Sequence, residues 1–204
     1  MNTIKKNIGA LSIFIIFFIV GVAFVIAYPK LEIQYYVNSF YHPVASFIFQ
    51  FITHLAEGWF TVPLLIILFI YNWRKGLFIG LSYAIASIVV AILKRLVFSN
   101  FKRPHGFKEL IQNEEYNWLY DVQMPSNLSF PSGHTTVAFC VFFGLALIIT
   151  NKKIGSALIV LAVLIGFSRI YLSYHFLIDI VAGSLLGVIT ALVVYFSLRK
   201  KLKL

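Results

Sequence analysis

Six apolar stretches of about 20 residues follow one another along the chain, and they limit what it can fold into. A helix needs about 20 consecutive apolar residues to cross the hydrocarbon core of a bilayer. Of the 204 residues, 60% are hydrophobic and 12% are charged, a balance far from that of a soluble domain. The sequence therefore predicts an all-α integral membrane bundle of six transmembrane helices. The predicted spans are residues 8–28, 49–72, 77–97, 131–150, 154–174 and 176–198.

The chain carries no sign of a second domain. It has no long Ser-, Gly- or Pro-rich linker, no internal repeat and no low-complexity tract, so residues 1–204 are expected to form a single membrane domain. The one cysteine, Cys140, lies in the fourth span, which excludes an intramolecular disulfide and the spacing of a cysteine metal site. We expect Cys140 to pack inside the bundle.

The basic residues cluster at alternate ends of the predicted spans. Ten of them fall on one side of the membrane if six spans alternate, and the positive-inside rule assigns that side to the cytoplasm. Both termini are therefore predicted to be cytoplasmic, and the net charge of +10 reflects membrane topology, not nucleic-acid binding. The ten are Lys5, Lys6, Arg74, Lys75, Lys152, Lys153, Arg199, Lys200, Lys201 and Lys203. The carboxylates Glu32, Glu57, Glu109, Glu114, Glu115, Asp121 and Asp179 fall on or near the opposite face.

Seven further basic residues lie on the predicted outer side, against that rule. Positive charge kept there favours an anionic ligand, because membrane insertion alone would favour its absence. A solvated loop face is the alternative explanation. The seven are Lys30, Lys94, Arg95, Lys102, Arg103, Lys108 and Arg169.

Three polar clusters are predicted to meet at this outer face. They are KRLVFSNFKRP at 94–104, SFPSGH at 129–134 and SRIYLSYHFLID at 168–179. Six alternating spans bring the end of the third span, the start of the fourth and the junction of the fifth and sixth to the same membrane side. The clusters are therefore expected to form one pocket.

The middle cluster has the pattern of a phosphate site at a helix start. Proline favours the first helical position, so Ser132, Gly133 and His134 are expected in the first turn, where backbone N–H groups have no intrahelical partner. Gly133 would let a phosphate approach the backbone, and Ser132 would add a hydroxyl donor. Arg103 and Arg169 offer planar forks for phosphate oxygens.

His175 and Asp179 form the second titratable pair. Residues at i and i+4 lie on one face of a helix, so Asp179 is expected to accept the proton of one imidazole nitrogen and leave the other free as a nucleophile or base. A packing role for the pair is the alternative. His54 and Glu57, three apart in the second span, either line the pocket or form an interfacial pair without a catalytic role.

Together the three clusters resemble the tripartite signature of the type 2 phosphatidic acid phosphatase superfamily, KxxxxxxRP, PSGH and SRxxxxxHxxxD. The resemblance covers residues 49–198 approximately. It implies that His175 attacks phosphorus and forms a phosphohistidine, that Asp179 orients His175, and that His134 protonates the leaving group. It also implies phosphate binding by Arg103 and Arg169, with neither a metal nor another cofactor.

The first cluster departs from that signature. The residue seven positions before Arg103 is Leu96, not lysine. A two-residue insertion around positions 99–100 would restore Lys94 to the role, and Lys94 is favoured because it closes an apolar helix from which a long side chain can reach the outer surface. Arg95 and Lys102 are the rival candidates.

The resemblance and the topology together imply a lipid phosphatase of the cell membrane, with its active site on the extracytoplasmic face. For a bacterial cell, undecaprenyl pyrophosphate is the favoured substrate. Phosphatidylglycerophosphate, phosphatidate and diacylglycerol pyrophosphate are the alternatives within the family. A lipid phosphotransferase and a non-enzymatic protein that binds anions or lipids are the alternatives of other classes. The expected partners are a lipid phosphate and the bilayer.

Overall fold

Eight α-helices make up the part of the chain that the structure, a computed structural model, describes: residues 7–111, 116–118 and 125–204. No strand occurs in these ranges, which confirms the all-α prediction. The helices are α1 Ile8–Ala27, α2 Lys30–Asn38, α3 Pro43–Thr53, α4 Gly58–Tyr71, α5 Trp73–Ile92, α6 Gly133–Ile148, α7 Lys152–Tyr171 and α8 Leu177–Leu202. Shorter elements are the 3₁₀ turns His54–Ala56 and Pro104–Phe107 and the π-helical turn Leu93–Val97.

Four of these helices are long and apolar enough to cross a membrane: α1, α5 with its π-helical extension, α7 and α8. The pair α3 and α4 meets the same criterion as one span bent by 49°, which would make five. Helix α6 is apolar but has only 16 residues, about 24 Å against a hydrocarbon core of about 30 Å. Six spans and cytoplasmic termini stay predictions. Lys5, Lys6, Glu114, Glu115 and Asp121, used in that topology argument, lie outside the described residues.

The second predicted span, 49–72, is not one continuous helix. The chain forms a 3₁₀ turn at His54–Ala56, and Glu57 then takes an extended conformation with φ −83° and ψ 154° before α4 begins. His54 and Glu57 therefore do not share the face of one helix as predicted. They meet across the break instead, with His54 Nδ1 3.1 Å from Glu57 Oε2.

Helix α6 is the centre of the bundle, in contact with α5, α7 and α8. Most of its side chains are buried, Cys140 among them. Two small residues of α8 let it approach α6 closely: a Cβ on Gly183 would lie 2.7 Å from Ser132 O, and one on Gly187 would clash with Thr136 O. Such close crossings at small residues are typical of membrane helices.

This close crossing brings the starts of α6 and α8 together. The Ser132 N–H donates to Asp179 O at 3.0 Å, which ties the two helix starts directly. The end of α5 reaches the same place, where Lys94 Nζ donates to Leu128 O at 2.9 Å. The three polar clusters of the sequence thus converge at one end of the bundle.

Candidate active site

The centre of this convergence is a buried contact between His175 and Asp179. His175 Nδ1 lies 3.1 Å from Asp179 Oδ2, and the two side chains are 1% and 2% exposed. His175 precedes α8 instead of lying on it, and Asp179 is the third residue of that helix. The predicted contact is present, but the predicted helical face is wrong. Asp179 Oδ2 also accepts from Phe176 N–H at 3.0 Å, as acidic side chains at this helix position commonly do.

The surroundings of His175 favour the neutral form of its imidazole. Burial lowers the pKa of His175 well below its usual range, and the positive charges of Arg103, Lys94 and Arg169 lower the pKa further. A neutral ring held at Nδ1 by a carboxylate has a lone pair available at Nε2.

Ser129 is a member of this site that the sequence reasoning missed. Its hydroxyl donates to Asp179 Oδ2 and lies 3.4 Å from His175 Nδ1. Only its position in the cluster 129–134 pointed towards the site, because a serine next to Phe130 and a proline carries no distinctive pattern of its own.

Arg169 is a buried cation with a hydrogen-bond donor that has no acceptor among the described residues. It is 5% exposed, its Nη1 donates to Thr53 Oγ1 at 2.7 Å, and its guanidinium lies 4.0 Å from the centre of the Tyr174 ring. Within the described part of the chain, its Nε has no hydrogen-bond partner. A buried charged donor without a partner is costly unless a ligand satisfies it.

Lys94 and Arg103 form a second pair of cations. Both donate to the same carbonyl oxygen, Leu128 O, with Lys94 Nζ at 2.9 Å and Arg103 Nη2 at 3.4 Å. Arg103 Nη1 also lies 3.5 Å from Tyr174 O, which follows Arg169 in the third cluster. Two like charges side by side repel each other, so this arrangement favours an anion between or beside them.

The two rival candidates for the first cluster lie elsewhere. Arg95 and Lys102 are exposed, and Lys102 lines a separate polar cavity of about 650 Å³ with His105 and Lys108. Lys94 lies in the π-helical turn, which holds more residues per turn than an α-helix. The turn gives a physical reason for the longer spacing to Arg103.

The start of α6 provides the polar backbone of the site. Ser132 caps the helix, its fully buried hydroxyl oxygen accepting from Thr135 N–H at 3.4 Å, so the helix proper begins at Gly133. The N–H groups of Gly133 and His134 belong to the first turn and have no intrahelical acceptor. A Cβ on Gly133 would meet Val90 only at an ordinary 3.6 Å, so packing against the bundle does not require glycine here.

His134 lies at the open side of the site. Its side chain is 30% exposed, against 1% for His175, and its Nε2 is 3.5 Å from Glu57 Oε1. The sequence placed Glu57 near the outer face but left its role open. Throughout the residues that the structure describes, no group of three His, Cys, Asp or Glu side chains is placed to hold a metal ion.

The comparison with known families agrees with this arrangement. A family model described as the PAP2 superfamily matches residues 75–203, which include all three polar clusters. The chain belongs to the PAP2 superfamily. The resemblance seen in the sequence is thereby confirmed.

The relatives of the chain include proteins named as phosphatases and one named as a transport permease. The undecaprenyl-diphosphatase BcrC of Bacillus subtilis is 30% identical over 157 residues, 74% of each chain. Phosphatidylglycerophosphatase B of the same organism is 31% identical over 152 residues, 68% of each chain. The bacitracin transport permease protein BcrC of Bacillus licheniformis is 30% identical over 163 residues, 79% of this chain and 74% of the relative. The chain is accordingly assigned to the hydrolases that act on phosphate esters.

Two solved structures share the fold. LpxE of Aquifex aeolicus superposes with a TM-score of 0.71 at 30% identity, over 83% of this chain and 97% of that one. The transmembrane PAP2 type phosphatidylglycerolphosphate phosphatase of Bacillus subtilis gives 0.65 at 26% identity, over 94% and 96% of the two chains. The helical bundle is therefore a membrane PAP2 fold.

Proposed function

We propose that the chain hydrolyses a lipid phosphate or diphosphate at the outer leaflet through a phosphohistidine, with undecaprenyl pyrophosphate as the substrate. One observation carries the mechanism: a buried His175 lies with its Nδ1 3.1 Å from Asp179 Oδ2, where burial and three nearby cations lower its pKa. A neutral imidazole with one fixed nitrogen is a nucleophile, and the surrounding charges suit the phosphoryl oxygens.

The reaction divides into two half-reactions. In the first, His175 Nε2 forms a bond to phosphorus, the bond to the leaving oxygen breaks, and His134 gives that oxygen a proton. Arg103, Arg169, Lys94 and the N–H groups at the start of α6 offset the charge of the phosphoryl oxygens, with Gly133 allowing close approach. In the second, water attacks phosphorus, its proton returns to the imidazole of His134, and His175 is released.

Two features support a diphosphate on a long lipid as substrate. Relatives of similar length include an undecaprenyl-diphosphatase, and the predicted topology places the site on the extracytoplasmic side. Phosphatidylglycerophosphate is the competing substrate, because a relative of similar identity is named for it. Both lipids present a terminal phosphate to the same cations.

The substrate is decided by measuring phosphate release from both lipids by the detergent-purified protein, with EDTA present throughout. We expect release from undecaprenyl pyrophosphate to have the higher kcat/KM. A higher value for phosphatidylglycerophosphate would reassign the substrate within the same mechanism. Loss of the lipid's phosphate to an added lipid or sugar alcohol, with no free phosphate, would instead show a phosphotransferase.

Lys94 is proposed as the lysine of the first cluster. Replacing Lys94 with Met should lower kcat/KM about 10–100-fold, since hydrogen bonds to charged groups contribute about 1.5–3 kcal/mol. Arg95→Met and Lys102→Met are matched controls that remove one outer cation each and should change kcat/KM less than about 3-fold. A larger effect at Lys102 than at Lys94 would contradict the assignment.

The outward orientation of the site is tested by cysteine labelling in intact cells. The only native cysteine, Cys140, is buried and gives little background. We expect His105→Cys, in the polar cavity that Lys102 lines, to react with a membrane-impermeant maleimide, and Lys75→Cys, at the opposite end of α5, to react only after the cells are opened. The reverse pattern would place the active site in the cytoplasm.

A further inference from the structure

Glu57 is a carboxylate beside a site built to bind an anion. Its Oε1 lies 3.5 Å from Nε2 of His134, at the open side of the cation cluster. A negative charge in this position weakens the binding of a phosphate, because like charges repel most strongly where water is partly excluded. A cost of this kind calls for a compensating role in the reaction.

Two further contacts hold the Glu57 carboxylate in place. Trp59 Nε1 donates to Oε2 at 2.7 Å, and His54 Nδ1 lies 3.1 Å from the same oxygen. Oε2 therefore accepts the Trp59 hydrogen bond and lies close to His54, and Oε1 is left directed at His134. Glu57 is the residue that caps α4, yet its side chain makes no capping hydrogen bond. Capping of α4 therefore does not explain why a carboxylate lies at position 57.

The helix break around Glu57 is tied to the rest of the site. Thr53, the last residue of α3, accepts the hydrogen bond from Arg169 Nη1 at 2.7 Å. One side of the break thus contacts a proposed phosphate ligand, and the other side contacts the proposed general acid. A continuous helix through 49–72 could not place Glu57 in an extended conformation pointing across to α6.

We propose that Glu57 is a positioning residue for the general acid His134, in the way that Asp179 is for His175. The proposal rests on the role given to His134 in the proposed function. Glu57 fixes one ring nitrogen and stabilises the imidazolium, and the other ring nitrogen faces the leaving oxygen. As the bond from phosphorus to that oxygen breaks, the imidazolium gives the oxygen its proton and becomes neutral. The negative charge of Glu57 is most useful before that transfer.

The test uses two leaving groups that differ in their need for a proton. The lipid alcohol of phosphatidylglycerophosphate is a poor leaving group, whereas p-nitrophenolate leaves without protonation. Glu57→Gln keeps the shape of the side chain and removes its charge. We expect it to lower kcat for phosphatidylglycerophosphate about 10–100-fold, within the range of general acid catalysis, and not to raise KM, because the charge that repels the phosphate is gone. The pre-steady-state release of p-nitrophenol, which reports the first half-reaction alone, should change less than about 3-fold.

Glu32→Gln is the matched control, since it makes the same change at an exposed residue of α2. Thermal unfolding of each purified variant in detergent checks that it is folded. Trp59→Phe, which removes one hydrogen bond to the carboxylate, should show the same dependence on the leaving group with a smaller loss. If Glu57→Gln slows both substrates equally, Glu57 has a structural role and the proposal is overturned.

The double variant Glu57→Gln/His134→Ala shows whether Glu57 acts through His134. We expect it to be no slower than His134→Ala alone, because a positioning residue has no effect once the group it positions is gone. If Glu57→Gln lowers kcat in the His134→Ala background by as much as it does in the unmodified protein, the positioning role is overturned and the phosphatase mechanism stays intact. A p-nitrophenol burst that persists in His175→Ala would overturn the phosphohistidine mechanism, and the role of Glu57 with it.

Discussion

Replacing His175 with Ala is expected to lower kcat for lipid phosphate hydrolysis by about 10⁴–10⁶-fold, the range seen when a nucleophile is removed from an enzyme. The side chain is 1% exposed and is held by Asp179, and no other described imidazole shares this contact. His134 is at the open side with a different carboxylate, so it cannot take over the attack without moving. The remaining cations would still bind the substrate, so KM should change much less than kcat.

Detection of the covalent intermediate is a second test of the role of His175. Protein mixed with substrate carrying ³²P in its terminal phosphate and stopped in alkali should retain label, because phosphohistidine is stable to base and labile to acid. His175→Ala should retain none, and His134→Ala should still be labelled from an aryl phosphate. His42→Ala is the control: His42 is exposed and caps α3 through a contact with Val44 N–H, so only helix stability should change, by about 1 kcal/mol. Label retained by His175→Ala would point to another nucleophile.

The sequence was sufficient to predict which clusters meet, and the reason is topological. Apolar stretches that alternate across a membrane place every second helix end on the same side, so motifs at those ends share one face whatever the packing details. The alternation of spans alone was enough to predict that Arg169, Arg103 and the start of α6 lie on one side. The relation between His175 and Asp179 was predicted as a contact, but a helix was assumed where the chain turns into α8.

The break in the second span was harder to predict, because its causes are contacts between distant segments. Thr53 contacts Arg169, and Glu57 contacts His134, at separations of 116 and 77 residues along the chain. The spacing of apolar residues along the chain predicts neither of these contacts. The two polar residues in that span signalled an interruption, but only the fold shows what they contact.

The number of membrane spans was difficult to predict from the sequence for a different reason. Helix α6 is apolar because it is surrounded by α5, α7 and α8, not because it faces lipid along its length. A helix buried on all sides and a helix crossing a membrane have the same composition, and length alone separates them. The sequence extended α6 to 20 residues by including its flanking positions, whereas the helix itself has 16.

Asp179→Asn should cause the next largest loss, a fall in kcat of about 10³–10⁴-fold, by analogy with the orienting carboxylate of a catalytic triad. The Oδ2 atom accepts from Phe176 N–H and from the Ser129 hydroxyl, and lies 3.1 Å from His175 Nδ1. An amide fits the same space, so the fold should persist. It can, however, present its NH₂ to Nδ1, which moves the ring proton to Nε2, the atom that must attack phosphorus.

The measured pattern separates this orienting role from phosphate binding. Asp179 contacts no predicted phosphate ligand through its side chain, so kcat should fall while KM stays within about 3-fold. Ser129→Ala removes one donor to the same carboxylate and should cost about 5-fold in kcat, since a single hydrogen bond contributes about 1 kcal/mol. A Ser129→Ala variant as slow as Asp179→Asn would mean that the serine hydroxyl, and not the carboxylate, fixes the imidazole. The geometry makes such a transfer of role unfavourable, because His175 Nδ1 lies 3.1 Å from Asp179 Oδ2 and 3.4 Å from the Ser129 hydroxyl, and a charged carboxylate accepts the Nδ1 proton more strongly than a neutral hydroxyl.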